Sequence, residues 1–368
     1  MMEGYILGGR NIAENVFKQN FKKVNGGAAL TEFTRLFRDN FINEQDFKNI
    51  SAMGANCIRL PFNCRLLAEK TPGGVSYLKK AFTLANKYNL GIILDLHAAP
   101  GAQNCDWHSD STGKALFWEK EKYRKETFKI WERLVTQFKD EPALIGFDII
   151  NEPVLGKKPT TLLAKFYKDA IKRIRAIDKK HTIFLEGSLW AQRIDFLKDL
   201  LGENISVSIH TYQPLEFTFN FVPRYNFPGK INNEHWDSGK IKKYLEPYFL
   251  FSKNNNVPIF VGEFGVNWRG GFWGELNWLD SILKVFEEFE MSYTYWTYKA
   301  IANSVFPDGL YQYIQNNKYV QREGPVYGWE NYAVDFKKEK NILADFWQTK
   351  NFTANSAIIS KLEEFFKK

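Results

Sequence analysis

A chain of 368 residues, 44% hydrophobic and 25% charged, is long enough to bury a large soluble core, and no run approaches the roughly 20 apolar residues of a membrane span. The net charge of +8 raises nucleic-acid binding, but the basic residues are scattered as pairs (Lys179-Lys180, Lys242-Lys243, Lys337-Lys338, Lys367-Lys368) and no stripe or motif gathers them, so no nucleic-acid or membrane partner is expected. Cys57, Cys64 and Cys105 form neither a disulfide framework nor a zinc spacing, and the start Met1-Met2-Glu3-Gly4 carries no basic-then-apolar secretion signal, which leaves either a cytoplasmic protein or a secreted one read without its leader.

In chain order, candidate strands cover residues 5–9, 56–61, 91–97, 145–151, 182–187, 205–212, 258–264 and 293–298. They are short, β-branched or aromatic runs, as buried parallel strands are. Helical periodicity lies between them. Residues 122–139 place Phe128, Trp131, Val135 and Phe138 on one stripe; 161–178 do so with Leu163, Phe166, Ala170, Ile174 and Ile177; 277–288 with Leu279, Ile282, Leu283 and Phe286. Eight strands alternating with helices predict an α/β fold, a single (β/α)8 barrel. With no linker and no internal repeat, residues 1–368 read as one catalytic domain. Long loops follow the third, sixth and eighth strands, over residues 98–120, 213–239 and 299–352. Such loops shape a cleft on the active face of a barrel.

The strand ends carry the chemistry. Alternation puts Arg59 on one face with Cys57, His97 with Asp95, Asn151 with Ile149, Tyr212 with His210 and Ser208, Glu263 with Val261, and Trp296 with Thr294. The polar member comes last on strand after strand, so hydrogen-bonding groups collect at one rim. Two glutamates stand out. Gly146-Phe147-Asp148-Ile149-Ile150-Asn151-Glu152-Pro153 reads as a buried strand stopped by a proline that cannot donate to a ladder, and Val257-Pro258-Ile259-Phe260-Val261-Gly262-Glu263 ends alike. A surface carboxylate is the ordinary fate of a glutamate. A matched pair at one rim is what a retaining glycosidase needs, one group protonated and the other ionised. Burial and repulsion between the two are expected to raise the acid.

Ile58-Arg59-Leu60-Pro61, Asp95-Leu96-His97, Asn151-Glu152-Pro153, His210-Thr211-Tyr212, Glu263-Phe264-Gly265 and Trp296 together resemble glycoside hydrolase family 5, the cellulase-like barrels. The loop Ala98-Ala99-Pro100-Gly101-Ala102-Gln103-Asn104 is similar to exo-β-1,3-glucanase-like members, and Cys105-Asp106-Trp107-His108-Ser109-Asp110 then departs from them. The resemblance implies a retaining β-glycosidase acting on β-linked oligo- or polysaccharide, with Glu152 as acid/base, Glu263 as nucleophile, and no metal or cofactor. Arg59, His97, Asn151, His210, Tyr212 and Trp296 match the family's supporting positions.

Physically, Arg59 can hold the nucleophile ionised, and Tyr212 can donate a hydrogen bond to it. Asn151 can bond a sugar 2-hydroxyl. His97 and His210 can bond hydroxyls or orient the carboxylates, against the bland reading of satisfied buried histidines. Trp296 offers a flat face. Trp107, Trp118, Trp268 and Trp273 are candidate sugar platforms, although tryptophans often only pack. The aromatic loops, with Phe217, Phe219 and Phe221 in one and Tyr311, Tyr313 and Tyr319 in another, predict a pocket or blocked cleft and attack near a chain end; a loop mini-core is the competing reading. The preferred activity is therefore exo-β-1,3-glucanase or β-glucosidase-like. Endo-β-1,4-glucanase or mannanase stands as the alternative within the family. A metal-dependent barrel hydrolase, using His97, His108, Asp95 and His210, and a non-catalytic sugar-binding barrel are the alternatives of other classes. Oligomeric state is left open.

Overall fold

The computed structural model describes residues 2, 4–69, 73–302, 304–313, 318–322 and 324–367. Met1, Glu3 and Lys368, and residues 314–317 of the last predicted loop, lie outside them. Seven parallel strands form one sheet in chain order: β1 (Cys57–Asn63), β2 (Gly91–Ala98), β3 (Leu144–Asp148), β4 (Thr182–Glu186), β5 (Ile205–His210), β6 (Ile259–Phe264) and β7 (Ser292–Tyr295). Each pairs in parallel with the next, and β7 comes round to approach β1, so the sheet is a nearly closed barrel. Helical crossovers cover its outside, as parallel neighbours require.

The three helical patterns become helices Glu121–Phe138, Thr160–Arg175 and Glu275–Glu288. Their predicted stripes are buried; only Ile177, just past its helix, is half-buried.

Seven of the eight predicted strands form. The first does not. Gly4–Leu7 is a turn of helix, followed by Gly8 and Gly9 at φ +102° and +79°. Those left-handed glycines break an extended run, and a Cβ on either would meet the backbone of Tyr319 or Gly328 within 2.2 or 2.7 Å. An apolar triplet such as Tyr5-Ile6-Leu7 suits a strand or a helical turn equally by pattern. The barrel is accordingly open at one seam between β1 and β7, and a cavity of about 750 Å³ reaches from there into the barrel interior, lined by Ile58, Ile93, Phe184, Phe260 and Tyr295.

The segment 299–352 is not one long loop. It holds short strands Lys299–Ile301 and Tyr311–Tyr313 and the helix Gly328–Phe346. This helix packs on Glu14–Phe41, a helical stretch kinked at Gly26. Phe17, Phe21, Phe33 and Phe37 from one meet Tyr332, Phe336 and, just beyond the other's end, Trp347, with Phe33 4.7 Å from Phe21 and 5.2 Å from Trp347 between ring centres. Tyr313 and Tyr319 are buried in the same cluster, so these two rings pack this layer and do not line a cleft. A buried lysine, Lys299, ties both helix ends. Its ammonium donates to the Phe41 carbonyl, to the Trp347 carbonyl at 3.3 Å and to Thr349 Oγ1 at 2.9 Å. A cation suits two helix C-termini, whereas burial pushes its pKa down to about 8.

Candidate active site

Arg59, on β1, is buried and surrounded. Its Nε donates to Asp148 Oδ2 at 2.9 Å, Nη1 to Glu263 Oε1 at 2.9 Å, and Nη2 to Asn151 Oδ1 at 2.8 Å and Glu186 Oε1 at 2.9 Å. Asp95 Oδ2 lies 3.1 Å from Nη1. Burial works against the guanidinium charge, but Asp95, Asp148, Glu263 and Glu186 hold its pKa well above the ordinary range. The excess of carboxylates falls on Asp148, which burial and then Glu186 push well up despite Arg59.

Glu263, the penultimate residue of β6, receives Arg59 on one oxygen and the Tyr212 hydroxyl on the other, at 2.8 Å. Burial and the Glu263 charge raise the Tyr212 phenol well above its usual range, so it stays a donor. The preceding Gly262 matters sterically: a Cβ there would sit 2.9 Å from His210 Nε2 and 3.0 Å from Ser208 Oγ.

Glu152 sits past the end of β3 with φ +47°, a left-handed backbone that a side chain adopts at a cost. Two buried groups hold it there. Its N–H donates to Glu186 Oε2 at 2.6 Å, and its carbonyl accepts from Asn104 Nδ2 at 3.0 Å. The carboxyl meets two imidazoles, His210 Nδ1 at 2.9 Å and His108 Nε2 at 3.1 Å. Burial raises this carboxyl; with both His108 and His210 donating and charged, their hydrogen bonds and charge outweigh burial and hold the group well below the usual carboxylate range. This corrects the expectation of a raised acid: burial acts as predicted, and the histidines reverse it. His210 moves oppositely. Burial disfavours its charge, yet Glu186, Glu263 and Glu152 hold it well above the ordinary imidazole range.

The other predicted residues largely gather here. His97 bonds Asp95 through Nδ1 at 2.7 Å and lies parallel to Trp296, 5.1 Å between ring centres. Asn151 is fully buried; Arg59 fixes its amide oxygen, and its Nδ2 has no partner among the described residues. Trp107 approaches His108 at 5.7 Å and Phe306 at 5.3 Å. From Phe306 a chain of rings continues through Phe219 at 5.2 Å to Tyr212 at 4.9 Å. Trp268 stands apart, packed against the main core and beside Gly271. Trp118 is a core residue, its Nε1 bonded to the Gln103 carbonyl at 2.7 Å, because the loop folds back over it. Trp273 stays partly exposed.

Sequence reasoning missed Glu186 as a site residue, although it ends β4 as the other polar residues end their strands. It also missed Asp148 and the Asn104–His108 contact at 3.0 Å, the latter because no pattern predicts which loop side chains meet. Trp190, exposed and bonded to Asp106 at 2.9 Å, is a further rim aromatic.

Glu152, His210 and Glu263 bring one oxygen or nitrogen each within 4.8 Å of one another. The donor set does not suit a metal ion. Both Glu263 oxygens are engaged by Arg59 and Tyr212, both Glu152 oxygens by imidazoles, and a guanidinium lies 2.9 Å away.

The family model described as cellulase (glycosyl hydrolase family 5) matches residues 15–301. The chain belongs to glycosyl hydrolase family 5. As a member it is a retaining glycosidase, and the family implies β-linked saccharide substrates. It is 28% identical over 333 residues to a β-xylosidase of Phanerodontia chrysosporium, covering 84% of this chain and 65% of that protein. It is 25% identical over 311 residues to endoglucanase C of Acetivibrio thermocellus, covering 74% of this chain and 89% of that one. The endoglucanase Cel5A of the hyperthermophile Thermotoga maritima shares the fold, with a TM-score of 0.62, 21% identity, and 87% and 90% of the two chains covered.

Asp148 gives a stability prediction. A carboxyl whose pKa is raised on folding takes up a proton as the chain folds, so its contribution is present at low pH and is lost as pH rises through the raised value. Asp148→Asn, which mimics the protonated form, should come nearest the parent below the unfolded carboxyl value of about 4 and exceed it increasingly as pH rises, the gap growing by about 1.4 kcal/mol per pH unit within the titration window. Urea unfolding across that range checks this; parallel curves for the two proteins would refute it.

Proposed function

We propose that this family 5 enzyme hydrolyses β-glucosidic bonds in β-glucans or their oligosaccharides, with Glu263 as nucleophile and Glu152 as acid/base. The observation that carries the reading is the paired setting of these carboxylates. They are close, with ligand atoms within 4.8 Å, and oppositely equipped, one by a guanidinium and a phenol, the other by imidazoles. Carboxyls about 5 Å apart suit a retaining displacement, whereas inversion needs room for a water between them.

Glu263 attacks the anomeric carbon while Glu152 gives a proton to the departing glycosidic oxygen. Water then attacks the same carbon, yields its proton to Glu152 and releases Glu263. Asn151 directs its unpartnered Nδ2 to the sugar 2-hydroxyl, a contact that strengthens as the transition state forms. His97, its other nitrogen fixed by Asp95, and Trp296 beside it receive the sugar ring.

The chain of rings from Trp107 through Phe306 and Phe219 to Tyr212 supports a blocked cleft. It joins the loops after β2 and β5 with the segment after β7, and walls the site beside Tyr212. This favours attack near a chain end, as in exo-β-1,3-glucanases and β-glucosidases. Internal cleavage of β-1,4-glucan is the second reading, favoured by the endoglucanase of Acetivibrio thermocellus at 89% coverage of its length.

Glu263→Ala should lose about 10⁴-fold or more of its turnover, and azide should restore cleavage of an activated aryl glucoside with inverted product. Near-parental activity on a β-glucan would remove Glu263 from its role. Viscometry with reducing-end assay on a soluble β-glucan tests the cleft. Slow viscosity loss with steady release of glucose or one short oligomer is expected; a rapid fall with few new ends would establish internal cleavage.

A further inference from the structure

His108 belongs to the short turn Trp107–Ser109, in the loop after β2. Its Nε2 faces two groups, Glu152 Oε2 at 3.1 Å and Asn104 Nδ2 at 3.0 Å. The orientation of Asn104 is not free. The side chain is fully buried, its Oδ1 accepts the Asp106 N–H at 2.9 Å, and its Nδ2 donates to the Glu152 carbonyl at 3.0 Å. Flipping the amide would set donor against donor and acceptor against acceptor. The Asn104 nitrogen therefore presents only hydrogens, and its second one faces His108 Nε2. A protonated Nε2 would meet that hydrogen head-on, so Asn104 favours a lone pair there. With that one lone pair shared between the Asn104 hydrogen and Glu152 Oε2 at 3.1 Å, the carboxyl oxygen needs a proton to meet it.

We propose that His108 is the proton partner of Glu152: the two share one proton along Nε2···Oε2, and Asn104 biases it toward the carboxyl. The proposal rests on Glu152 being the acid/base. It makes His108 a positioning residue that keeps the acid loaded. In the first step the proton passes from Oε2 to the glycosidic oxygen, which replaces Nε2 as its acceptor. Glu152 is left as carboxylate and His108 as neutral imidazole, and the attacking water returns the proton to Glu152 in the second step. No net proton is gained or lost.

The charged surroundings of the pair are these. His210 from β5 bonds the other oxygen of Glu152, with Glu186 and Glu263 beyond it. Glu186 also accepts the Glu152 N–H, and Arg59 bonds both Glu186 and Glu263. His97 from β2 lies 5.8 Å from the His108 ring, backed by Asp95. On the turn itself Asp106 is held by Trp190 and Asp110 by Arg65. A charged His210 pulls Glu152 toward its carboxylate form, so a second group is needed to retain the proton. A donating Nε2 on His108 would join His210 in favouring the carboxylate; with the Asn104 hydrogen set against Nε2, that donation is lost, and burial favours the proton on Glu152.

The test is the pH dependence of kcat/KM for wild type, His108→Ala, His108→Gln and Glu152→Gln, on an alkyl β-glucoside and a dinitrophenyl β-glucoside. Both His108 variants should move the alkaline limb down by about one pH unit or more, leave the acid limb in place, and lose about 10²-fold on the alkyl substrate near pH 8. The dinitrophenyl substrate, whose leaving group needs no proton, should change by less than about threefold, and added imidazole should partly rescue His108→Ala. A uniform loss across pH and leaving groups, with both limbs unmoved, would overturn the proposal. Glu152→Gln separates the two claims. It should abolish the alkaline limb and spare formation of the intermediate from the dinitrophenyl substrate. If it does so while the His108 limbs stay put, only the His108 role fails; if Glu152→Gln keeps normal turnover of the alkyl substrate, Glu152 is not the acid at all.

Discussion

One buried guanidinium organises this barrel. Arg59 rises from β1 and touches carboxylates from β2, β3, β4 and β6, together with the Asn151 amide. A single cation amid four carboxylates is a poor device for stability. Desolvating the charges costs more than their attraction returns unless every hydrogen bond is made, and truncating one member leaves a buried charge worth about 3–5 kcal/mol. Its value is positional. The Arg59 fork sets Glu263 through one nitrogen and, through the other, both Asn151 and Glu186. Glu186 in turn holds the strained backbone of Glu152. The nucleophile candidate, the Asn151 amide and the acid candidate thus share one anchor.

The second constraint is the opposite equipment of the two glutamates. Glu263 is met by a fixed cation and a phenol that stays protonated, neither of which takes its place as a proton donor near neutral pH. Glu152 is met by two imidazoles, of which His210 is held charged by Glu186, Glu263 and Glu152 itself. Two carboxylates on one rim are thereby given different surroundings by their neighbours alone.

Much of this was legible in the sequence because strands alternate. A polar residue that ends a buried run points to the rim, which located Arg59, His97, Asn151, His210, Tyr212, Glu263 and Trp296, while Pro153 marked the strand end at Glu152. The same rule reaches Glu186, which went unread. Alternation fails where the chain is not a strand: residues 5–7 carry apolar side chains suited to either state, and the left-handed Gly8 and Gly9 decided for a helical turn. The helix Glu14–Phe41 left a signal in Phe17, Phe21, Phe33, Phe37 and Phe41 at helical spacing, diluted by a polar middle containing Gly26 and Gly27. Loop contacts were beyond reach. That His108 meets Glu152, that Trp118 turns inward and that Phe306 bridges Trp107 to Phe219 are all outcomes of tertiary packing.

The central claim is that the carboxylate anchored by Arg59 and Tyr212 forms the covalent bond to the sugar. The most direct measurement is inactivation by a dinitrophenyl 2-deoxy-2-fluoro-β-glucoside, followed by peptide mapping of the labelled protein by mass spectrometry. The account predicts one fluoroglucosyl group per chain, attached to Glu263, and released with recovery of activity when an acceptor sugar is added. A fluoroglucosyl group found on Glu152, Glu186 or any other residue of the inactivated enzyme would contradict it.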